Sequence, residues 1–255
     1  MTQRLINKVA LITGGASGFG AGIADCFVRE CARVMIADRD AGAGKAKADA
    51  LTEAGHEAAF IETDVADVDS VKNAVTTCVE TFGRMDTMVA NAGIGQRPCP
   101  IEELSDDELT RQFDINVKGV IWCCQEAVSQ FRAQGSGNIV VTASGIALTP
   151  RPKLLAYGAA KGAVVTFCKG QALELASEGI RVNALCPAVG DTPMIAEFMG
   201  GELSDTGKAQ FRDALPMGRL ITPRDVGEAA VFLASDSEAG TITGAAFPVD
   251  AGRCV

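Results

Sequence analysis

Short apolar runs alternate with longer amphipathic stretches along the whole chain. The runs at 8–13, 34–37, 58–63, 85–90, 137–143, 180–186 and 245–249 are four to seven residues long and rich in Val, Ile and Ala. Runs of this length bounded by turn residues mark strands buried on both faces. Between them, 21–30, 42–54, 67–82, 102–134, 157–177 and 223–234 read as helices. In 67–82 the stripe Val68, Val71, Val75 and Val79 recurs at helical spacing. Strands that alternate with helices throughout predict an α/β protein with one parallel sheet of about seven strands and helices on both faces. No linker or shift in composition divides the chain, so 1–255 is expected to be one domain. The polar, glycine-interrupted segment around 188–217 is expected to be mobile and to cover a substrate.

The first βαβ unit carries the earliest chemical signal. The run at 8–13 leads directly into Gly14-Gly-Ala-Ser17-Gly18-Phe19-Gly20, then a helix, then a second run that ends at Asp38-Arg39. Strand, glycine turn, helix, strand and acidic residue within about 30 residues form a doubly wound unit of the Rossmann type. Gly14 makes the turn out of the strand. Gly18 and Gly20 let backbone and ligand approach at the helix N-terminus, where unpaired N–H groups attract a pyrophosphate. Asp38 is placed to accept hydrogen bonds from the two hydroxyls of an adenosine ribose. Arg39 could clamp a 2′-phosphate instead. The carboxylate already in place, and Ser17 where a second cation would be needed, favour NAD over NADP.

A second signal lies at Ser144 to Lys161. Tyr157 is the only tyrosine in the chain, and Lys161 follows it by four residues across Gly-Ala-Ala. On a helix these positions share one face. A nearby ammonium favours the phenolate over the phenol, whose ordinary pKa is about 10. Such a pair can move a proton to or from an alcohol or carbonyl oxygen, and Ser144 could orient that oxygen. The spacing alone occurs by chance in many helices.

Composition narrows the chemistry. The net charge is −9 and the pI about 4.7, which argues against nucleic acid or an anionic membrane as partner. No run is long enough to span a bilayer and no signal-peptide pattern opens the chain, so a cytoplasmic protein is expected. The nine cysteines are irregularly spaced and expected to be free thiols, mostly buried. With no Cys-x-x-Cys and a single histidine, His56, in a polar turn, no metal site is expected, and acid–base chemistry falls to Tyr, Lys, Asp or Glu.

Taken together, these residues resemble the short-chain dehydrogenase/reductase family over nearly the whole chain. The glycine turn from Thr13 to Gly20, Asn91-Ala92-Gly93, Asn116 in Asp114-Ile-Asn-Val-Lys-Gly119, Ser144 13 residues before Tyr157, and Tyr157-x-x-x-Lys161 match its motifs in order. The resemblance implies that Tyr157 is the general acid/base and that Ser144 holds the reacting oxygen. Lys161 would lower the pKa of Tyr157 and bind the nicotinamide ribose. Asn116 would hold a relay water through its carbonyl. Asp64 and Val65 would hold the adenine. Asn91, Ala92, Gly93, Pro187, Val189 and Thr192 would complete the NAD site, and the protein would be a homotetramer.

Two departures from the family stand out. Pro187-Ala188 replaces the usual Pro-Gly, with Gly190 placed to absorb the turn. Cys31 replaces a glycine at the end of the first helix, where a left-handed residue is expected at a cost of about 1 kcal/mol.

The leading reading is an NAD-dependent dehydrogenase of a secondary alcohol such as a polyol or sugar. Arg97, Arg151 and Lys153 are basic positions that could meet an anionic substrate or simply be solvated. The alternatives are a 3-oxoacyl-thioester reductase using NADPH and a non-catalytic NAD-sensing module, which the intact Ser/Tyr/Lys set opposes.

Overall fold

The computed structural model describes residues 3–200 and 204–254. Among the described residues, seven strands form one sheet: β1 (Val9–Thr13), β2 (Arg33–Asp38), β3 (Ala58–Glu62), β4 (Thr87–Ala90), β5 (Gly137–Thr142), β6 (Ile180–Pro187) and β7 (Ala246–Val249). All pairs are parallel and the order is β3-β2-β1-β4-β5-β6-β7. The order reverses between β1 and β4. That switch point leaves a crevice at the carboxyl ends of the strands, where ligands bind in open α/β sheets.

The helices are α1 (Gly18–Arg29), α2 (Ala41–Glu53), α3 (Val68–Phe82), α4 (Asp106–Phe113), α5 (Gly119–Gln134), α6 (Leu155–Leu175), α7 (Ile195–Met199), α8 (Asp205–Asp213), α9 (Pro223–Ala234) and α10 (Asp236–Ala239). The period of two along each strand sorts the core into two layers. Val9 and Leu11 of β1 face a layer built with α3, α5 and α6, while Ala10 and Ile12 face one built with α1, α2 and α9. The core is aliphatic, as the composition implied. Among the described residues, no helix is long and apolar enough to cross a membrane.

Local chemistry sets the element ends. Thr222 and Asp225 form a reciprocal capping box around Pro223, which starts α9 where the proline pattern placed it. Cys31 does take the left-handed conformation, φ +68°, after α1. Seven of the nine thiols are buried and none is paired. Burial pushes Cys78, Cys123 and Cys168 up to about 12, so these are packing groups rather than nucleophiles.

The helix-rich region 102–134 contains α4 and α5, joined by a π turn, Asp114–Lys118, where the Gly119 N–H bonds back to the Asp114 carbonyl. The polar stretch 192–215 carries the short helices α7 and α8.

Candidate active site

A cavity of about 370 Å³ opens at the switch point, and it holds both halves of the expected site. Its first wall is the turn between β1 and α1. Gly14 (φ +62°) and Gly18 (φ +53°) are left-handed, and a Cβ on Gly14 would stand 2.9 Å from the Ala92 Cα. Gly20 lies beneath the turn, where a Cβ would collide with the Gly14 carbonyl. Ser17 caps α1 without a side-chain hydrogen bond and no acid occupies the first turn, which leaves the amide end of the helix to an anionic ligand. Thr192 sits across this turn, its Cβ 3.4 Å from where a Gly18 Cβ would be. Phe19 packs on Gly190, whose added Cβ would strike the ring. Gly190 therefore answers a close approach; it is not among the left-handed glycines and does not absorb the turn expected after Ala188.

At the far end, Asp38 is fixed by two amides: Ala16 N–H donates to one carboxylate oxygen (3.0 Å) and Asp40 N–H to the other (3.1 Å). The carboxylate is thereby held against the glycine turn, with Arg39 exposed on the same rim. Asp64 and buried Val65 line the cavity beyond β3, and the Asp64 carboxylate accepts from Ala66 N–H at 2.9 Å. The left-handed turn, the open helix end and the fixed carboxylate together fit an adenine dinucleotide.

Asn91 ties three strands together below the cavity. Its Nδ2 donates to the carbonyls of Thr13 (3.0 Å) and Gly14 (3.1 Å), and its Oδ1 accepts from Thr142 Oγ1 (3.0 Å). The amides of Asn91 and Ala92 both donate to Thr13 Oγ1. Gly93 must lack a side chain, because a Cβ would lie 2.7 Å from Asn116 Oδ1. Asn116 is buried in the π turn. Its side chain accepts from Ile94 N–H and donates to the Ile94 carbonyl, both at 3.0 Å.

Ser144 follows β5, and Tyr157 and Lys161 lie one turn apart on α6. All three line the cavity, as do Pro187 at the end of β6 and Val189 beyond it; Gly20 and Asn116 are not part of its lining. Burial pushes the Tyr157 phenol up to about 12; the nearby Ser144 hydroxyl acts to lower it and the Glu197 carboxylate to raise it. Lys161 Nζ donates to the Thr142 carbonyl (2.8 Å) and stands 5.9 Å from the Tyr157 ring centroid. Burial holds Lys161 down to about 8. Burial by itself moves both groups toward their neutral forms.

Several residues of the site belong to no motif in the sequence. Gln96 is buried and accepts from Tyr157 N–H at 2.9 Å, which orients the start of α6. Gln112 is buried and accepts from Asn116 Nδ2 at 2.7 Å. Phe198 meets the Tyr157 ring edge-on with centroids 5.1 Å apart, and neighbouring Glu197 accepts from Gly95 N–H at 3.0 Å. A buried glutamine and a lone acid on a one-turn helix have no spacing that would single them out. Of the basic positions singled out, Arg151 lines the cavity and Arg97 and Lys153 do not; Arg253 does.

A crevice at the switch point of a parallel sheet, with a left-handed glycine turn at one end and a Ser/Tyr/Lys group at the other, defines a nicotinamide-dinucleotide oxidoreductase. The family model described as enoyl-(acyl carrier protein) reductase matches residues 14–253, and the chain belongs to the short-chain dehydrogenase/reductase family, acting on CH–OH groups. It is 39% identical to 4-formylbenzenesulfonate dehydrogenase of Comamonas testosteroni over 98% of this chain and 99% of that one. It is 38% identical to cis-4-hydroxycyclohexanecarboxylate dehydrogenase of Sinomonas cyclohexanicum over 99% of this chain and 98% of that one. A solved 3-ketoacyl-(acyl-carrier-protein) reductase from Brucella melitensis, complexed with NADH, superposes with a TM-score of 0.89 at 41% identity, over 98% of this chain and 100% of that one.

Proposed function

We propose that the protein is an NAD(H)-dependent dehydrogenase that interconverts a secondary alcohol and its ketone. The observation that carries this reading is that Ser144, Tyr157 and Lys161 share one cavity with Asp38 fixed at its other end. The nicotinamide ring supplies hydride acceptance and donation when bound. The chain's own residues supply the rest. Ser144 holds the substrate oxygen, Tyr157 takes its proton on oxidation and returns it on reduction, and Lys161 binds the nicotinamide ribose and stabilises the phenolate when protonated. Asn116 holds the loop after β4 in place so that Gly93 can lie against Lys161. Gly14, Ser17, Gly18, Phe19, Asn91, Ala92, Pro187, Val189 and Thr192 would contact the dinucleotide, with Asp64 and Val65 at its adenine.

Asp38 supports NAD over NADP. A 2′-phosphate brings nearly two negative charges toward a fixed carboxylate, and each such pair at about 4 Å is repelled by roughly 4 kcal/mol at an effective dielectric near 20. The solved neighbour that holds NADH is in keeping with this. The two bacterial relatives are named for a formylbenzenesulfonate and a hydroxycyclohexanecarboxylate, and the second name draws the proposed substrate from a polyol or sugar toward a ring alcohol. A second reading, 3-oxoacyl-thioester reductase, is favoured by the identity with the Brucella enzyme and would be marked by preference for an acyl-thioester substrate and NADPH. A homotetramer is also proposed. Leu173 on α6 is 84% exposed, beside Gly170, where an added Cβ would meet nothing, and a neighbouring subunit could cover this face.

The test is nicotinamide absorbance with NAD and a panel of ring and open-chain secondary alcohols, run on wild type and Tyr157→Phe. Turnover should fall by about two or more powers of ten in the variant, with NADH binding largely kept. Near-normal turnover in a folded variant would remove the role assigned to Tyr157.

A further inference from the structure

The cavity is charged unevenly. Glu197 acts on the Tyr157 phenol. Elsewhere on the wall stand two arginines, Arg151 in the loop before α6 and Arg253 near the C-terminus. Arg253 is put there by a constructed turn. The Asp250 carboxylate accepts from Gly252 N–H (3.0 Å) and Cys254 N–H (2.7 Å), and the Asp250 carbonyl accepts from Arg253 N–H (3.1 Å). Ala251 (φ +51°) and Gly252 (φ +83°) are both left-handed, so the turn holds a non-glycine residue in a disfavoured conformation. Cys254 Sγ then reaches the Gly145 carbonyl at 3.5 Å, which fastens the turn beside the residue that follows Ser144.

Both oxygens of Asp250 serve backbone amides. Among the described residues, neither Arg151 nor Arg253 forms a salt bridge, and the buried Arg253 Nε has no hydrogen-bond partner. Burial lowers the Arg151 pKa and the charge of Arg253 lowers it further, so the two guanidinium groups repel each other in a partly desolvated wall. Two like charges kept together with no counter-ion among the described residues cost stability unless an anion completes the set. The chain as a whole carries −9, so an anionic substrate needs a local cation pair to overcome the general field. The planar fork of arginine matches carboxylate and sulfonate oxygens two at a time.

We propose that Arg151 and Arg253 form an anion subsite that binds a carboxylate or sulfonate group of the substrate while its alcohol carbon lies at Ser144 and Tyr157. This rests on the dehydrogenase reading of the cavity, and the experiment separates the two. The first arm compares kcat/KM for hydroxycyclohexanecarboxylate and the matching carboxamide. Wild type should prefer the acid by about tenfold to a hundredfold, through KM, as a charge-assisted hydrogen-bonded contact implies. In Arg151→Gln/Arg253→Gln the ratio should fall to near one.

The second arm needs no turnover. Calorimetry in the presence of NADH measures binding of cyclohexanecarboxylate, cyclohexanesulfonate and cyclohexanecarboxamide. The two acids should bind wild type more tightly than the amide, and the tighter of them identifies the group the site is built for. Should the double variant fail to fold, Arg151→Lys and Arg253→Lys keep the charge and lose the fork, and each should reduce the preference. An amide bound and turned over as well as the acid overturns the subsite and leaves the dehydrogenase reading intact. Tight acid binding without turnover of any alcohol keeps the subsite and removes that reading. A preference unchanged in the variants, or a loss of NADH affinity in place of acid selectivity, overturns the assignment.

Discussion

Replacing Lys161 with methionine should change how stability depends on pH, and the structure gives the size of the change. Lys161 is 3% exposed, and its pKa is held down from 10.5 to about 8. In the unfolded chain it would titrate near its ordinary value. Between about pH 8 and 10.5 the unfolded state therefore binds more protons than the folded one, so stability rises with pH across that window. Below pH 8 the full penalty for burying the charge is present. A displacement of this size corresponds to about 3 kcal/mol.

The variant also loses the hydrogen bond to the Thr142 carbonyl. The part of that bond which a neutral amine also makes is the same at both pH values and cancels, and the extra strength it has from the ammonium is already contained in the folded-state pKa. Chemical denaturation of wild type and Lys161→Met at one protein concentration, at pH 7 and pH 10, is the assay. The stability of the variant relative to wild type should fall by about 2 to 3 kcal/mol from the lower pH to the higher. Parallel pH profiles, with the gap constant to within about 0.5 kcal/mol, would refute the claim that the lysine is buried at the expense of its charge.

Asp38→Ser should narrow the NAD preference, which is expected in wild type at about two to three powers of ten in kcat/KM; wild-type preference for NADP, or unchanged selectivity in the variant, would contradict the role of Asp38. Cys31→Gly removes a side chain from a left-handed position and should stabilise the fold by about 1 kcal/mol, read as a shift in denaturation midpoint with unchanged slope. Asn91→Ala breaks the bonds that join β1, β4 and β5 and should destabilise the protein by more than about 2 kcal/mol, because it leaves the Thr13 and Gly14 carbonyls without that donor.

The sheet could be read from the sequence because its strands are buried on both faces, and such strands appear as unbroken apolar runs. The glycine turn was legible for the same local reason: Gly14 and Gly18 need positive φ, and that need shows in residue type. The break at Asn116 was not legible. The segment has an ordinary helical pattern, and the π turn coincides with side-chain bonds to Ile94, which is 22 residues away. Arg253 was missed because the turn Asp250–Arg253 carries only an ordinary turn signal, Gly252, which says nothing of the surface that the next side chain faces. Arg97 and Arg151 looked alike as loop cations; burial against the cavity wall separates them, and burial has no single-residue signature.

Burial also acts on the ionisation of the tyrosine. Lys161 points at the Thr142 carbonyl and is itself drawn toward neutrality, so the phenol receives its lowering from Ser144 alone and is raised by desolvation and by Glu197. Further lowering has to come from positive charge brought in beside the phenol, which a bound oxidised nicotinamide provides. Glu197 works against this, and its contribution can be isolated. Glu197→Gln keeps an oxygen that can accept from Gly95 N–H and removes only the charge. A carboxylate near the phenol disfavours phenolate, so its removal should move the ionisation seen in the alcohol-oxidation rate to lower pH, with the plateau rate at high pH little changed. The measurement is the pH dependence of kcat under saturating NAD and alcohol in both proteins. An ionisation that stays in place, or moves to higher pH, would mean that the Glu197 charge does not reach Tyr157 in the working complex.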